Sequence, residues 1–123
     1  MELTNLAIIL VSGGMDSCVS AASAIIEGYE PAFLHVNYGQ LTEERELKAF
    51  YDIGDYYHVK ERMVVDIKHL SAIGGSCLTD KEIAVPNAKL DNTNIPISYV
   101  PFRNANILSV AVSWAEIIHA NSI

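Results

Sequence analysis

Leu6-Ala7-Ile8-Ile9-Leu10-Val11 is an unbroken apolar run that stops at Ser12-Gly13-Gly14. A run this short, aliphatic and closed by glycine reads as a strand buried on both faces. Such a strand needs a layer on each side of its sheet. The segment that follows has helical spacing: Met15, Val19, Ala22 and Ile26 recur along one face, and Gly28 is placed to end the helix. Strand, glycine loop and helix in immediate succession are the opening of an α/β domain.

The rest of the chain keeps that alternation. Pro31–Asn37 reads as a second strand, broken by Tyr38-Gly39-Gln40. A second helix follows, with Leu47, Phe50, Tyr51 and Gly54 on one face. Glu43 and Glu44 sit in its first turn, where they suit the positive end of the helix dipole. Arg62–Ile67 reads as a third strand, and residues 70 to 95 as an irregular stretch rich in turn signals. Ile97–Val100 reads as a fourth strand. A last helix carries Ile107, Leu108, Ala111, Ala115 and Ile118, and Ala120–Ile123 is where a fifth strand begins. The predicted fold is a doubly wound parallel sheet with helices on both faces, in a single domain over residues 1–123. Ligands of such sheets bind at the carboxyl ends of the strands.

Composition narrows the partners. The net charge of −7 is a poor match for a nucleic-acid backbone, so small-molecule partners are favoured. The opening residues have no basic leader followed by a long apolar core, and no stretch has the length of a membrane span. We therefore expect a cytoplasmic protein. Cys18 and Cys77 form no CxxC and are expected to be free, and the histidines show no shared ligand spacing. No metal ligand set is predicted.

The chemistry concentrates in Ser12-Gly13-Gly14-Met15-Asp16-Ser17. Glycines permit positive φ and close backbone approach, and the helix that follows presents free N–H groups and a partial positive charge. Together they form an anion site. Ser12 and Ser17 add hydroxyls, and Asp16 beside phosphates makes sense as a contact to Mg²⁺. The loop has neither the lysine of a Walker A sequence nor the GxGxxG spacing of a dinucleotide site. A plain strand-to-helix turn is the alternative reading.

SGGMDS after an apolar strand resembles the SGGxDS signature of the PP-loop ATP pyrophosphatases, which split ATP between its α and β phosphates. Tyr38-Gly39-Gln40, Gly74-Gly75-Ser76-Cys77-Leu78-Thr79 and Ile95–Asn104 (IPISYVPFRN) are similar, in order, to YGQ, GGSALT and IPxTYVPxRN segments of the 7-cyano-7-deazaguanine synthase family. The resemblance covers nearly the whole chain. It departs at Leu41-Thr42, where Arg-His is the commoner pair, and at Cys77, where alanine is usual.

The resemblance implies a ligase of queuosine biosynthesis. It would convert 7-carboxy-7-deazaguanine and ammonia to the nitrile through adenylated intermediates, with ATP and Mg²⁺. It also implies a homodimer and a longer enzyme, whose carboxy-terminal region binds Zn²⁺ through a cysteine cluster. The present chain would be its amino-terminal, ATP-binding part. By the same resemblance Val11, Ser12, Gly13, Gly14, Met15, Asp16, Ser17, Cys18, Tyr38, Gly39 and Gln40 bind ATP. Ser76, Thr79, Arg103 and Asn104 contact the second substrate, and Asp16 and Arg103 are catalytic. The residues themselves leave alternatives: Arg103 in a structural ion pair, Asn104 as a helix N-cap, Gly39-Gln40 as a strand-end turn, and Thr79-Asp80 as a surface turn. Another PP-loop enzyme acting on a different carboxylate or a tRNA base, or a nucleotide-binding module without catalysis, are the competing functions.

Overall fold

The computed structural model describes residues 5–73, 100 and 102–123. Strands β1 (Leu6–Leu10), β2 (Glu30–Asn37) and β3 (Glu61–Asp66) form a parallel sheet in the order β1-β2-β3. Helix α1 (Met15–Ile26) joins β1 to β2, and α2 (Glu43–Tyr56) joins β2 to β3. A short α3 (His69–Ile73) follows β3, and α4 (Arg103–Ile118) closes the described order. The alternation read from hydropathy is therefore present, with strand ends within a residue or so of expectation.

β1 is buried almost throughout because it is flanked on both edges and both faces. On one edge it pairs with β2, Leu6 opposite Glu30 through Leu10 opposite Leu34. On the other, Ala7 bridges Ser122 in parallel, with Ile8 N–H donating to the Ser122 carbonyl at 2.9 Å. Of the strand expected to begin near Ala120–Ile123, the described residues show this single bridge beside β1. Alternate residues feed two cores. Leu6, Ile8, Ala32 and Leu34 face α4 through Ala111, with Ile107, Val110 and Trp114 packed against them. Ile9, Val11 and Phe33 face α1 and α2 through Ala21 and Phe50. Phe50 is fully buried, which is worth about 2–3 kcal/mol.

Chain order then fixes where a ligand can bind. The connection through α1 leads from β1 to β2, while α4, on the opposite face, leads to Ser122 on the other edge. β1 thus lies at the topological switch, and the crevice opens at its carboxyl end, where Val11 and Ser12 follow.

Three sequence expectations are corrected. Met15, Val19 and Ile26 do not face the core: they are 80%, 58% and 85% exposed. α1 instead packs through Ala21 and Ala24, small residues that let its axis close on Ile9 and Phe33. Apolar spacing alone does not reveal which of two stripes lies against the sheet. In α2, Tyr51 is exposed and Ile53 takes the packing position beside Leu47. The stretch read as irregular from residue 70 begins as helix, since α3 runs to Ile73. Gly28, by contrast, has φ +93° just past the C-cap of α1, as a helix-ending glycine should. The strand read over Ile97–Val100 lies outside the described residues except for buried Val100.

Candidate functional site

The loop between β1 and α1 is held by its own polar groups. Ser17 Oγ donates to the Gly14 carbonyl at 3.0 Å and accepts from the Ser12 N–H at 3.2 Å. Ser12 Oγ accepts from the Gly14 N–H at 3.2 Å and lies 3.3 Å from Ser17 Oγ. The two serines read as phosphate donors therefore also brace the loop. Gly14 is the N-cap of α1, so the free N–H groups and positive pole of a twelve-residue helix begin here.

The two glycines have different reasons to be glycine. Gly13 has φ +91°, and a Cβ there would lie 2.8 Å from the Glu46 carbonyl and 2.9 Å from Ala49 Cβ. The loop is thus pressed against α2. Gly14 has extended φ and ψ of −83° and 170°, and a Cβ would meet only Ser12 Oγ, at 3.4 Å. Nothing among the described residues demands its bare backbone, whereas close approach of a ligand would.

The second wall comes from the turn after β2. Tyr38 N–H donates to Gln40 Oε1 at 2.8 Å, and Gln40 Nε2 donates to Glu46 Oε2 at 2.8 Å. Gln40 is 5% exposed, so its amide is a brace inside the wall. Gly39, at φ +82°, packs so tightly on Ser71 of α3 that a side chain would collide with it.

Arg103 opens α4 and reaches across to this turn. Its Nη1 donates to Tyr38 Oη at 3.2 Å, and its guanidinium carbon lies 5.4 Å from the Tyr38 ring centroid. The ion pairs among the described residues are Lys48–Asp52 and Arg62–Asp55. The structural ion pair weighed for Arg103 is therefore not found among the described residues. Asn104 is not the N-cap of α4: Phe102 is, in a left-handed conformation at φ 57°. Asn104 lies inside the first turn.

Val11, Ser12, Tyr38, Gln40, Glu46, Arg103 and Asn104 all line one cavity of about 560 Å³. That volume suits a nucleotide-sized ligand. Leu10, Leu34, Val36, Ile107 and Leu108 supply its apolar surface. Gly13 to Cys18 continue from its rim into α1, with Asp16 exposed in the first turn. Ser76, Thr79, Asp80 and Cys77 lie outside the described residues. Sequence reasoning missed His35, Asn37 and Glu46. His35 was weighed only as a metal ligand, and Glu46 was not singled out.

No group of three or more His, Cys, Asp or Glu side chains that could hold a metal is found among the described residues. Zinc therefore has no ligand set there. A magnesium ion carried with a nucleotide needs only one or two protein carboxylates, and Asp16 beside the loop fits that requirement. No helix among the described residues is long and apolar enough to cross a membrane.

A parallel sheet with its switch at β1, a glycine loop capping α1 and a cationic side chain lining the cavity beside Ser12 make an α/β domain with a candidate anion site. The comparisons make that specific. Residues 6–123 match the family model described as "Queuosine biosynthesis protein QueC", and the chain belongs to that family. It is 59% identical over 117 residues to a 7-cyano-7-deazaguanine synthase of Chloroherpeton thalassium. Identity is 58% with the same-named protein of Chlorobaculum tepidum and 56% with that of Chlorobaculum parvum. Each match covers 95% of this chain and 52% of the relative, so the chain spans about half the length of these relatives.

Proposed function

We propose that this chain is the ATP-binding domain of a 7-cyano-7-deazaguanine synthase. The observation that carries the reading is that Arg103 lines one cavity with Val11 and Ser12, from which the glycine loop continues into α1, in a member of the QueC family.

The loop N–H groups and the amino terminus of α1 hold the ATP phosphates, and Asp16 helps to hold the accompanying Mg²⁺. Arg103 offsets charge on the phosphates as it moves to the departing pyrophosphate. Tyr38 orients Arg103 through its hydroxyl and ring, and the apolar surface around Leu10 and Ile107 receives the base. The chemistry is two successive adenylations. A carboxylate oxygen of 7-carboxy-7-deazaguanine attacks the α-phosphorus and pyrophosphate leaves. Ammonia then displaces AMP to give the amide. The amide oxygen takes the adenylyl group of a second ATP, and loss of AMP and protons leaves the nitrile. Keeping water from the acyl-adenylate falls to the walls of the cavity. Ser76, Thr79 and Asn104 contact the deazapurine in this reading. The protein acts as a cytoplasmic homodimer without a nucleic-acid partner, and Zn²⁺ belongs to a region beyond these residues.

The test is pyrophosphate release from Mg-ATP with 7-carboxy-7-deazaguanine and ammonia supplied or withheld. Release that depends on the deazapurine, with nitrile in the product mass spectrum, supports the assignment. ATP binding with release that ignores the deazapurine would move the site to another carboxylate or a tRNA base. ATP binding without release would leave a nucleotide-binding module.

A further inference from the structure

His35 is buried, 1% exposed, on the same face of β2 as Phe33. Its ring lies 5.3 Å from that of Phe50. An imidazole is an uncomfortable neighbour for phenylalanine unless both nitrogens are bonded. Both are: Nδ1 is 2.8 Å from the Val11 carbonyl and Nε2 is 2.9 Å from Asn37 Oδ1. A carbonyl can only accept, so Nδ1 carries a proton; Nε2 then either donates to Asn37 Oδ1 from a doubly protonated ring or accepts from the Asn37 amide turned to present its NH₂.

The Val11 carbonyl belongs to the same peptide unit as the Ser12 N–H. That N–H donates to Ser17 Oγ. The peptide plane entering the phosphate loop is thus pinned at both ends, by His35 from β2 and by Ser17 from α1. On its far side the ring meets Asn37. Asn37 Oδ1 is 3.5 Å from Gln40 Nε2, and Gln40 holds both Tyr38 N–H and Glu46. One ring therefore joins the loop wall to the wall that carries Tyr38.

We infer that His35 is a positioning residue of the nucleotide site: its Nδ1–H sets the orientation of the Val11–Ser12 peptide, and its Nε2 ties that peptide to the Asn37–Gln40 turn. The inference rests on the reading of Ser12–Ser17 as the ATP loop. Its consequence is specific to one nitrogen. An asparagine amide reaches roughly as far as Nδ1 does, and a glutamine amide as far as Nε2. Only the first can replace the bond to Val11.

The experiment compares Mg-ATP binding by the wild-type chain and by His35→Phe, His35→Asn and His35→Gln, using calorimetry with melting temperatures alongside. His35→Phe keeps the ring and loses both bonds, and should weaken ATP binding about tenfold, the usual consequence of losing one good hydrogen bond. His35→Asn should restore most of that affinity and His35→Gln should not, whatever their order in melting temperature. A long-range ¹H–¹⁵N spectrum of the wild type should show the proton on Nδ1. Wild-type affinity in His35→Phe, equal losses in the Asn and Gln variants, or a ring protonated on Nε2 alone would each overturn the inference. If His35→Phe fails to fold, the Asn–Gln comparison decides. A wild-type chain that binds no ATP refutes the nucleotide reading and this inference together. A wild-type chain that binds ATP, with an unaffected His35→Phe, refutes this inference alone.

Discussion

The two walls of the cavity are made of different materials. One starts at Val11 and Ser12 and runs on from the rim as a backbone loop, shaped by two glycines and folded back on its own serines. The other is side chain: Tyr38, Gln40, Glu46 and Arg103, brought together from β2's turn, α2 and α4. A backbone wall offers N–H groups at fixed positions, which suits phosphate oxygens whatever the rest of the ligand is. A side-chain wall supplies placed charge and shape, which decide what is done to the phosphate. If this division is right, the two walls should fail differently when altered.

The largest effect is expected at the side chains that act on charge. Asp16→Ala should lower ATP turnover at least about a hundredfold with the melting temperature unchanged, because Asp16 is exposed and makes no described side-chain contact. Steady-state pyrophosphate release and thermal unfolding on the same sample check this. Arg103→Ala should lower turnover by about 10²–10³-fold. It breaks only the Tyr38 contact within the described residues, so stability should move far less. An equally large fall in stability would assign Arg103 to the scaffold.

The backbone wall gives a sharper contrast between neighbours. Gly13→Ala should destabilise the chain by about 1–3 kcal/mol, since it combines positive φ with a 2.8 Å approach to the Glu46 carbonyl. Gly14→Ala should leave unfolding nearly unchanged yet weaken Mg-ATP binding about tenfold or more, because its Cβ would meet only Ser12 Oγ among the described residues and would stand in the way of a ligand. Denaturant titration and calorimetry on the pair test the separation. Similar losses of stability in both would erase it.

The smallest effect is expected away from both walls. The Lys48–Asp52 pair is exposed at 2.7 Å along α2. Its hydrogen bond first, and its charge second, raise the Lys48 amine above the ordinary 10.5. Any contribution is therefore present in full at neutral pH and lost as pH rises through that raised value. Solvent screens so exposed a pair, and Lys48→Ala should leave the melting temperature within error.

The same division explains what the sequence revealed. Val11 to Ser17 are consecutive, so strand, loop and helix amino terminus could be read as one unit, and Gly28 marked the end of α1. The place of Arg103 in the cavity lining was legible because it sits at the start of a helix beside a short motif. The brace His35–Asn37–Gln40–Glu46 was not legible. It depends on the pleat of β2 and on where α2 lands, and neither is written in local spacing. The buried face of α1 was misread for a related reason. Large apolar residues at helical spacing outweighed Ala21 and Ala24, although alanine is what allows a helix to approach a sheet closely. The alternative that made Asn104 an N-cap of α4 fails because cap preference does not register the backbone, which turns left-handed at Phe102.

The central claim is that both walls face one ATP molecule. Titrating ¹⁵N-labelled chain with Mg-ATP and following its amide and guanidinium resonances tests this most directly. The account predicts that Ser12, Gly13, Gly14, Tyr38 and the Arg103 side chain shift together on one saturation curve. Saturable binding that leaves those resonances still, or moves the loop without Arg103 and Tyr38, would contradict it.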